Sequence, residues 1–97
     1  MQTIWKTTLE AKEVQEIELP AEAKFITAQV QHKGVSIWFH CDAPDADPEK
    51  EAARKKKTFT FYSFATGHLD DYNLQKCQYL GTVQFNHGHA IFHIFAK

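Results

Sequence analysis

Tyr79–Phe95, YLGTVQFNHGHAIFHIF, is the stretch whose reading decides the fold. It reads as two strands joined at His87-Gly88, where Gly88 supplies the positive φ that a two-residue hairpin turn demands. Asn86 and His89 are then the last paired residues, with Val83 opposite Phe92 and Phe85 opposite Ala90. Side chains alternate along a strand with a period of two, so Val83, Phe85, Ala90, Phe92 and Ile94 share one face. That face is core. Thr82, Gln84, Ile91, His93 and Phe95 share the other, which is too apolar for plain solvent surface.

Upstream, a second ribbon has the same design. Lys24 to Gln31 alternates, with Ile26, Ala28 and Val30 on one side and Phe25, Thr27, Gln29 and Gln31 on the other. Val35 to Cys41 returns after His32-Lys33-Gly34, and a two-residue loop at Lys33-Gly34 pairs Val30 with Ile37 and Ala28 with Phe39. Gln29 then lies beside Trp38 and Thr27 beside His40 on the opposite face. Turn chemistry and cross-strand pairing agree, which is what supports a hairpin here.

Thr58–Ala65, TFTFYSFA, is a further strand, with Phe59 and Phe61 facing one way and Tyr62 and Phe64 the other. Gln2 to Leu9 directs Trp5 and Leu9 inward. Val14 to Leu19 directs Ile17 and Leu19 inward and stops at Pro20, which cannot donate to a continuing ladder. A helix over 10–18 competes, since Glu, Lys and Gln favour helices, but the alternation Ile17-Glu18-Leu19-Pro20 selects a strand.

Residues 42–57 break the pattern. Asp47-Pro48 is a helix start, with Asp as N-cap and Pro in the first turn. Glu49 to Lys56 then forms two helical turns, with Glu51 and Lys55 at i, i+4. The segment reads as an exposed, mobile insertion that folding does not require. Thr66-Gly67-His68 is a turn and Leu69 to Lys76 an irregular loop. The expected fold is all-β, one domain over residues 1–97. It is a small sandwich of about seven mostly antiparallel strands built from consecutive hairpins, a closed barrel being the alternative.

The composition fits that architecture. The apolar fraction is 43% and the aromatic fraction 13% of 97 residues, a bias that suits strands. Eleven basic and twelve acidic residues leave a net charge of −1, so no global field favours nucleic acid or an anionic membrane. No apolar run approaches the ~20 residues of a membrane-spanning helix, and the start, MQTIWKTTLEAKE, lacks the apolar core of a signal peptide. Two cysteines, Cys41 and Cys77, read as reduced structural thiols of a cytoplasmic protein.

The candidate chemistry is sparse. His89 and His93 share a strand face, but four residues at ~3.3 Å each hold them about 13 Å apart, too far for one metal ion. His40 and Cys41 point to opposite faces, so His40 does not activate that thiol. No metal, cofactor or catalytic set is expected. The Arg54-Lys57 run reads as a solvated helix end. Thr66, Gly67 and His68 follow the strongest strand, where small β domains place functional loops. With Trp38 and His93 they are the candidate binding residues. Trp38, Tyr62, Phe64, Ile91 and Phe95 lie opposite the core and call for a cover. The surface for self-association, a homodimer or higher homo-oligomer, is Thr82, Gln84, Ile91, His93 and Phe95.

Short elements along nearly the whole chain carry a resemblance. They are Thr3-Ile4-Trp5-Lys6, Ile17-Glu18-Leu19-Pro20, Val30-Gln31, Trp38, Thr66-Gly67-His68, Tyr79-Leu80-Gly81-Thr82 and Phe92-His93-Ile94-Phe95. In this order the sequence resembles a family of short, uncharacterised proteins of tailed bacteriophages and prophages, a domain of unknown function. The resemblance implies a phage product acting in the host cytoplasm or in the virion. The expected function is a non-enzymatic accessory protein that binds a host or antiviral-defence component. The alternatives are a sponge for a small signalling nucleotide and a minor structural virion protein.

Overall fold

The computed structural model describes residues 1–67 and 74–97. Its strands are β1 (Gln2–Leu9), β2 (Val14–Pro20), β3 (Lys24–Gln31), β4 (Gly34–Asp42), β5 (Lys56–Ala65), β6 (Gln78–Phe85) and β7 (Ala90–Ala96), with one short helix, α1 (Pro48–Ala52). They form two antiparallel sheets, ordered β1-β4-β3 and β2-β5-β7-β6. The expected all-β sandwich is what the chain builds. Its connectivity differs from a run of consecutive hairpins: only β3–β4 and β6–β7 pair as such, while β1 reaches over to β4 and β2 to β5. Passing between sheets brings both ends of the amphipathic pattern onto one core.

That core is Leu9, Leu19, Ala28, Ile37, Phe39, Cys41, Phe59, Phe61, Leu80, Val83, Ile94 and Ala96. Ile37, Cys41 and Ile94 are completely buried. Cys41 and Cys77 are both unbridged. Trp5 does face this side, opposite Phe39, but β1 is an edge strand and the indole stays 39% exposed.

The β6–β7 register is the expected one, with Val83 opposite Phe92 and Phe85 opposite Ala90. The expected Asn86–His89 pair does not form: the ladder stops at Phe85–Ala90 and the turn runs over four residues, because Asn86, His87 and Gly88 take φ of 51, 57 and 88°. The amide of His89 donates to the Asn86 carbonyl at 3.1 Å, closing the turn. His89 is helical (φ −75°, ψ −24°) and so does not share a strand face with His93.

The β3–β4 hairpin is paired two residues away from expectation. Gln31 lies opposite Gly34, Val30 opposite Val35 and Ala28 opposite Ile37. The turn is His32-Lys33, at φ of 51 and 68°, and Gly34 is a strand residue. A slip of two leaves every side chain on the face it had, so the hydrophobic pattern cannot distinguish the two registers. A bulge between Phe25 and Thr27 then reverses the phase. Phe25, not Ile26, enters the core, edge-on to Phe59 at 5.1 Å and Phe61 at 5.4 Å, while Ile26 is 48% exposed. Such ring pairs contribute about 0.5–1.5 kcal/mol beyond area burial.

The two sheets meet along β3 and β6. Gly81, at φ 150°, sits in a second bulge of β6, and a Cβ there would lie 3.2 Å from the Ala28 carbonyl oxygen. Thr27 Oγ1 donates to the Leu80 carbonyl at 3.4 Å across the same seam.

Residues 43–57 hold the expected short exposed helix, with no buried residue in α1, and the segment is tethered to the sheets. Asp47 caps α1 as expected, its carboxylate accepting from the Glu49 amide at 2.9 Å. The helix ends at Ala52, however, and Lys56 and Lys57 belong to β5. Arg54 ties the segment down: it donates to Glu51 at 3.1 Å, to Glu22 at 2.5 Å and to the Asp42 carbonyl at 2.5 Å. The expected partner of Glu51, Lys55, is replaced by Arg54 at i+3. The guanidinium beside Glu22 holds that carboxyl below its ordinary range, and the Asp45 amide and Arg54 do the same for Glu51.

Candidate functional site

The outer face of the four-stranded sheet gathers most of the expected residues. Thr82 and Phe64 flank His93, Gln84 lies opposite Ile91, and Tyr62 and Tyr79 flank Phe95. His93 is held on both ring nitrogens, Nε2 to Thr66 Oγ1 at 2.8 Å and Nδ1 to Thr82 Oγ1 at 3.0 Å. Tyr79 Oη extends the chain to Thr82. A hydroxyl can donate or accept, so either imidazole tautomer is satisfied in this arrangement. Both nitrogens are thereby used in fixing the turn after β5 to β6 and β7. His93 is a clasp.

The remaining expected residues lie apart from that clasp or outside what is described. Gly67 follows Thr66 at φ 82°, with no atom of the described residues within 4 Å of where a Cβ would stand. His68 and residues 69–73 of the expected loop lie outside the described residues; residues 74–76 form a 3₁₀ turn. Trp38 is on the outer face of the other sheet, under the Lys6 ammonium at 5.5 Å. The second face is also less exposed than expected: Ile91 and Phe95 are half-buried and Phe64 is 5% exposed, stacked at 6.0 Å on Tyr62. Tyr79 covers Phe95, their rings 5.5 Å apart, and is itself 54% exposed.

A pocket of ≈ 470 Å³ opens at one end of the sandwich, a size usual for ligand sites. Its walls are apolar residues at strand ends, Leu9 and Val35 from one sheet and Phe85 and Phe92 from the other. Leu9 and Val35 are cross-strand partners, and Phe85 and Phe92 meet edge-on at 6.2 Å. The space exists because the chain places small side chains there: Gly34, Ser63 and Ala65 also line it. An adjoining cleft of ≈ 700 Å³ shares Lys33, Phe85 and Phe92 and runs on to Val30 and Gln84.

The rim is polar and built. Gln15 accepts from the Glu10 amide and donates to its carbonyl, both at 2.9 Å, which fixes the 10–13 turn. Lys12 pairs with Glu10 at 2.8 Å, holding that carboxyl below its usual range and its own ammonium above. The Ser63 amide donates to the Glu13 carbonyl at 2.8 Å, joining the turn to β5. Two carboxylates, Glu10 and Glu13, thus stand against two ammonium groups, Lys12 and Lys33. Sequence reasoning missed this pocket because its walls come from separate stretches. The available signal was Ser63 and Ala65, small inward positions at the end of a strand otherwise filled by Phe.

With the geometry in place, comparison with known proteins gives one match. The family described as Domain of unknown function (DUF7352) matches residues 1–97. The chain belongs to this family. Its coverage agrees with the resemblance carried by motifs spread over the whole sequence. No curated protein and no solved structure matches the chain significantly. Among the described residues, no helix is long and apolar enough to cross a membrane, and no group of three His, Cys, Asp or Glu side chains is placed to hold a metal ion.

Proposed function

We propose that this DUF7352 chain is a non-enzymatic phage accessory protein that binds a host or antiviral-defence protein, and that the end pocket receives an apolar side chain of that partner. The observation that carries the reading is the ≈ 470 Å³ pocket, walled by Leu9, Val35, Phe85 and Phe92 and rimmed by residues of both charges. Affinity at protein interfaces concentrates in apolar anchors seated in such pockets. The rim, two acidic and two basic, offers a phosphate group no net attraction, which favours a protein partner over a signalling nucleotide.

The test uses Ala65, an exposed residue at the pocket mouth. Ala65→Trp directs an indole into the space left by the small side chain. In pull-downs from infected cells, the wild-type protein is expected to retain a protein partner that a folded Ala65→Trp variant loses. Equal retention by both overturns the role of the pocket. A nucleotide found in the wild-type retentate by native mass spectrometry replaces the accessory reading with the sponge.

A further inference from the structure

An edge strand leaves a row of N–H and C=O groups without strand partners, and β proteins protect such edges with charges, prolines, bulges or covering segments. This sandwich has four edge strands, β1, β3, β2 and β6. β2 carries exposed Glu16 and Glu18 and ends in Pro20. β3 is bulged beside Ile26 and β6 beside Leu80, and the two edges lie against each other through Thr27 and Leu80. β1 has the least protection, a single charge. Its eight residues run in unbroken register with β4, from Gln2 opposite Asp42 to Leu9 opposite Val35, without Pro, Gly or bulge. Lys6 is its one charge. Ile4, 60% exposed, and Trp5, 39% exposed, stand on its two faces. Among the described residues, the most exposed large apolar side chain inside the chain is therefore on the least protected edge.

We propose that β1 pairs antiparallel with β1 of a second copy, about a twofold axis at Trp5, to give a continuous sheet ordered β3-β4-β1-β1-β4-β3. The sequence of β1 selects both the occupant and the register. A twofold axis normal to the sheet keeps inward side chains opposite inward ones, so its centre falls on a residue. Centred on Lys6, it sets two ammonium groups face to face, which is destabilising. Centred on Ile4, it leaves Thr8 and Leu9 beyond the ladder. Centred on Trp5, it engages the whole strand. The two half-exposed indoles then cover each other, Ile4 meets the aliphatic stem of Lys6, and Thr3 meets Thr7. This contact lies on the opposite sheet from Thr82, Gln84, Ile91, His93 and Phe95, and it is independent of the end pocket.

Sedimentation equilibrium up to high micromolar concentration tests it, with Ile4→Lys, Ile4→Glu and Phe95→Glu beside the wild type. Ile4 is an exposed strand residue, so both of its variants are expected to fold, which circular dichroism checks. The wild type is expected to dimerise. Ile4→Lys places an ammonium opposite Lys6 of the partner subunit at two symmetric positions and weakens the dimer about tenfold. Ile4→Glu places a carboxylate there and leaves the dimer at least as tight as the wild type. A wild type that stays monomeric overturns the proposal. So does an equal effect of the two Ile4 variants, or a dimer that only Phe95→Glu dissociates, which moves the contact to the outer face of the other sheet.

Discussion

The β6–β7 and β3–β4 hairpins both turn through left-handed residues, four residues in the first and two in the second, yet their glycines do different work. In β6–β7, Gly88 occupies the turn at φ 88°, after Asn86 at 51° and His87 at 57°. In β3–β4, His32 and Lys33 take the left-handed conformation at 51 and 68°, and Gly34 sits in the ladder opposite Gln31. Each non-glycine residue in that region costs roughly 1–2 kcal/mol. Each turn holds two such residues, but in β6–β7 one is Asn86, which tolerates the region, and Gly88 takes the third left-handed position; the β3–β4 turn, with His32 and Lys33, has neither relief and holds a local conformation that its own residues disfavour. What over-determines it is packing outside the turn. Gly34 lies near the Thr8 side chain, 3.7 Å from where a Cβ would stand, and Phe25 locks the far end of β3 between Phe59 and Phe61. One hairpin is set by its turn; the other is set by the sheets around it.

The strongest test of that contrast is at the locked end. Phe25→Ala removes the ring against Phe59 and Phe61 and is expected to cost about 3 kcal/mol in urea denaturation. Ile26→Ala next to it should cost under ~0.5 kcal/mol, because the bulge turns that side chain to solvent. A costly Ile26→Ala with a mild Phe25→Ala would restore the unbulged strand and remove the distinction between the hairpins.

A smaller effect separates the two glycines. Gly88→Ala is expected to lose about 1–2 kcal/mol, since alanine resists a positive φ, a fall in Tm of roughly 4–8 °C per kcal/mol for a domain of this size. Gly34→Ala meets only ordinary contacts, 3.7 Å to Thr8 Cγ2 and 3.8 Å to the Gln31 carbonyl, and should leave Tm unchanged or slightly higher. Were the turn at Lys33-Gly34, both substitutions would be costly.

The smallest expected effect has the opposite sign. Lys33→Gly relieves a left-handed lysine at φ 68°. After glycine's larger loss of freedom on folding is subtracted, it should stabilise by about 0.5 kcal/mol. A thermal melt that falls with Lys33→Gly would mean that the turn is not where the conformational strain resides.

The sequence by itself determined the strands, most of their faces and the fold class. The period-two alternation of Val83, Phe85, Phe92 and Ile94 needs no partner to be read, and Gly88 marked its own turn because no neighbouring residue competed for it. Pro20 and the Asp47-Pro48 start were legible for the same reason: each restricts the backbone locally. Tertiary structure alone decided the rest. It set the β3–β4 register, because a slip of two conserves the pattern, and it set the bulge that exchanged Ile26 for Phe25, because the gain lies in rings on the other sheet. The same holds for Arg54, whose acidic partner Glu22 lies across the fold, and for the clasp of Thr66, Thr82 and His93. The end pocket is the extreme case: its walls, and the small Gly34, Ser63 and Ala65 that leave its space, are distant in sequence and meet only between the sheets.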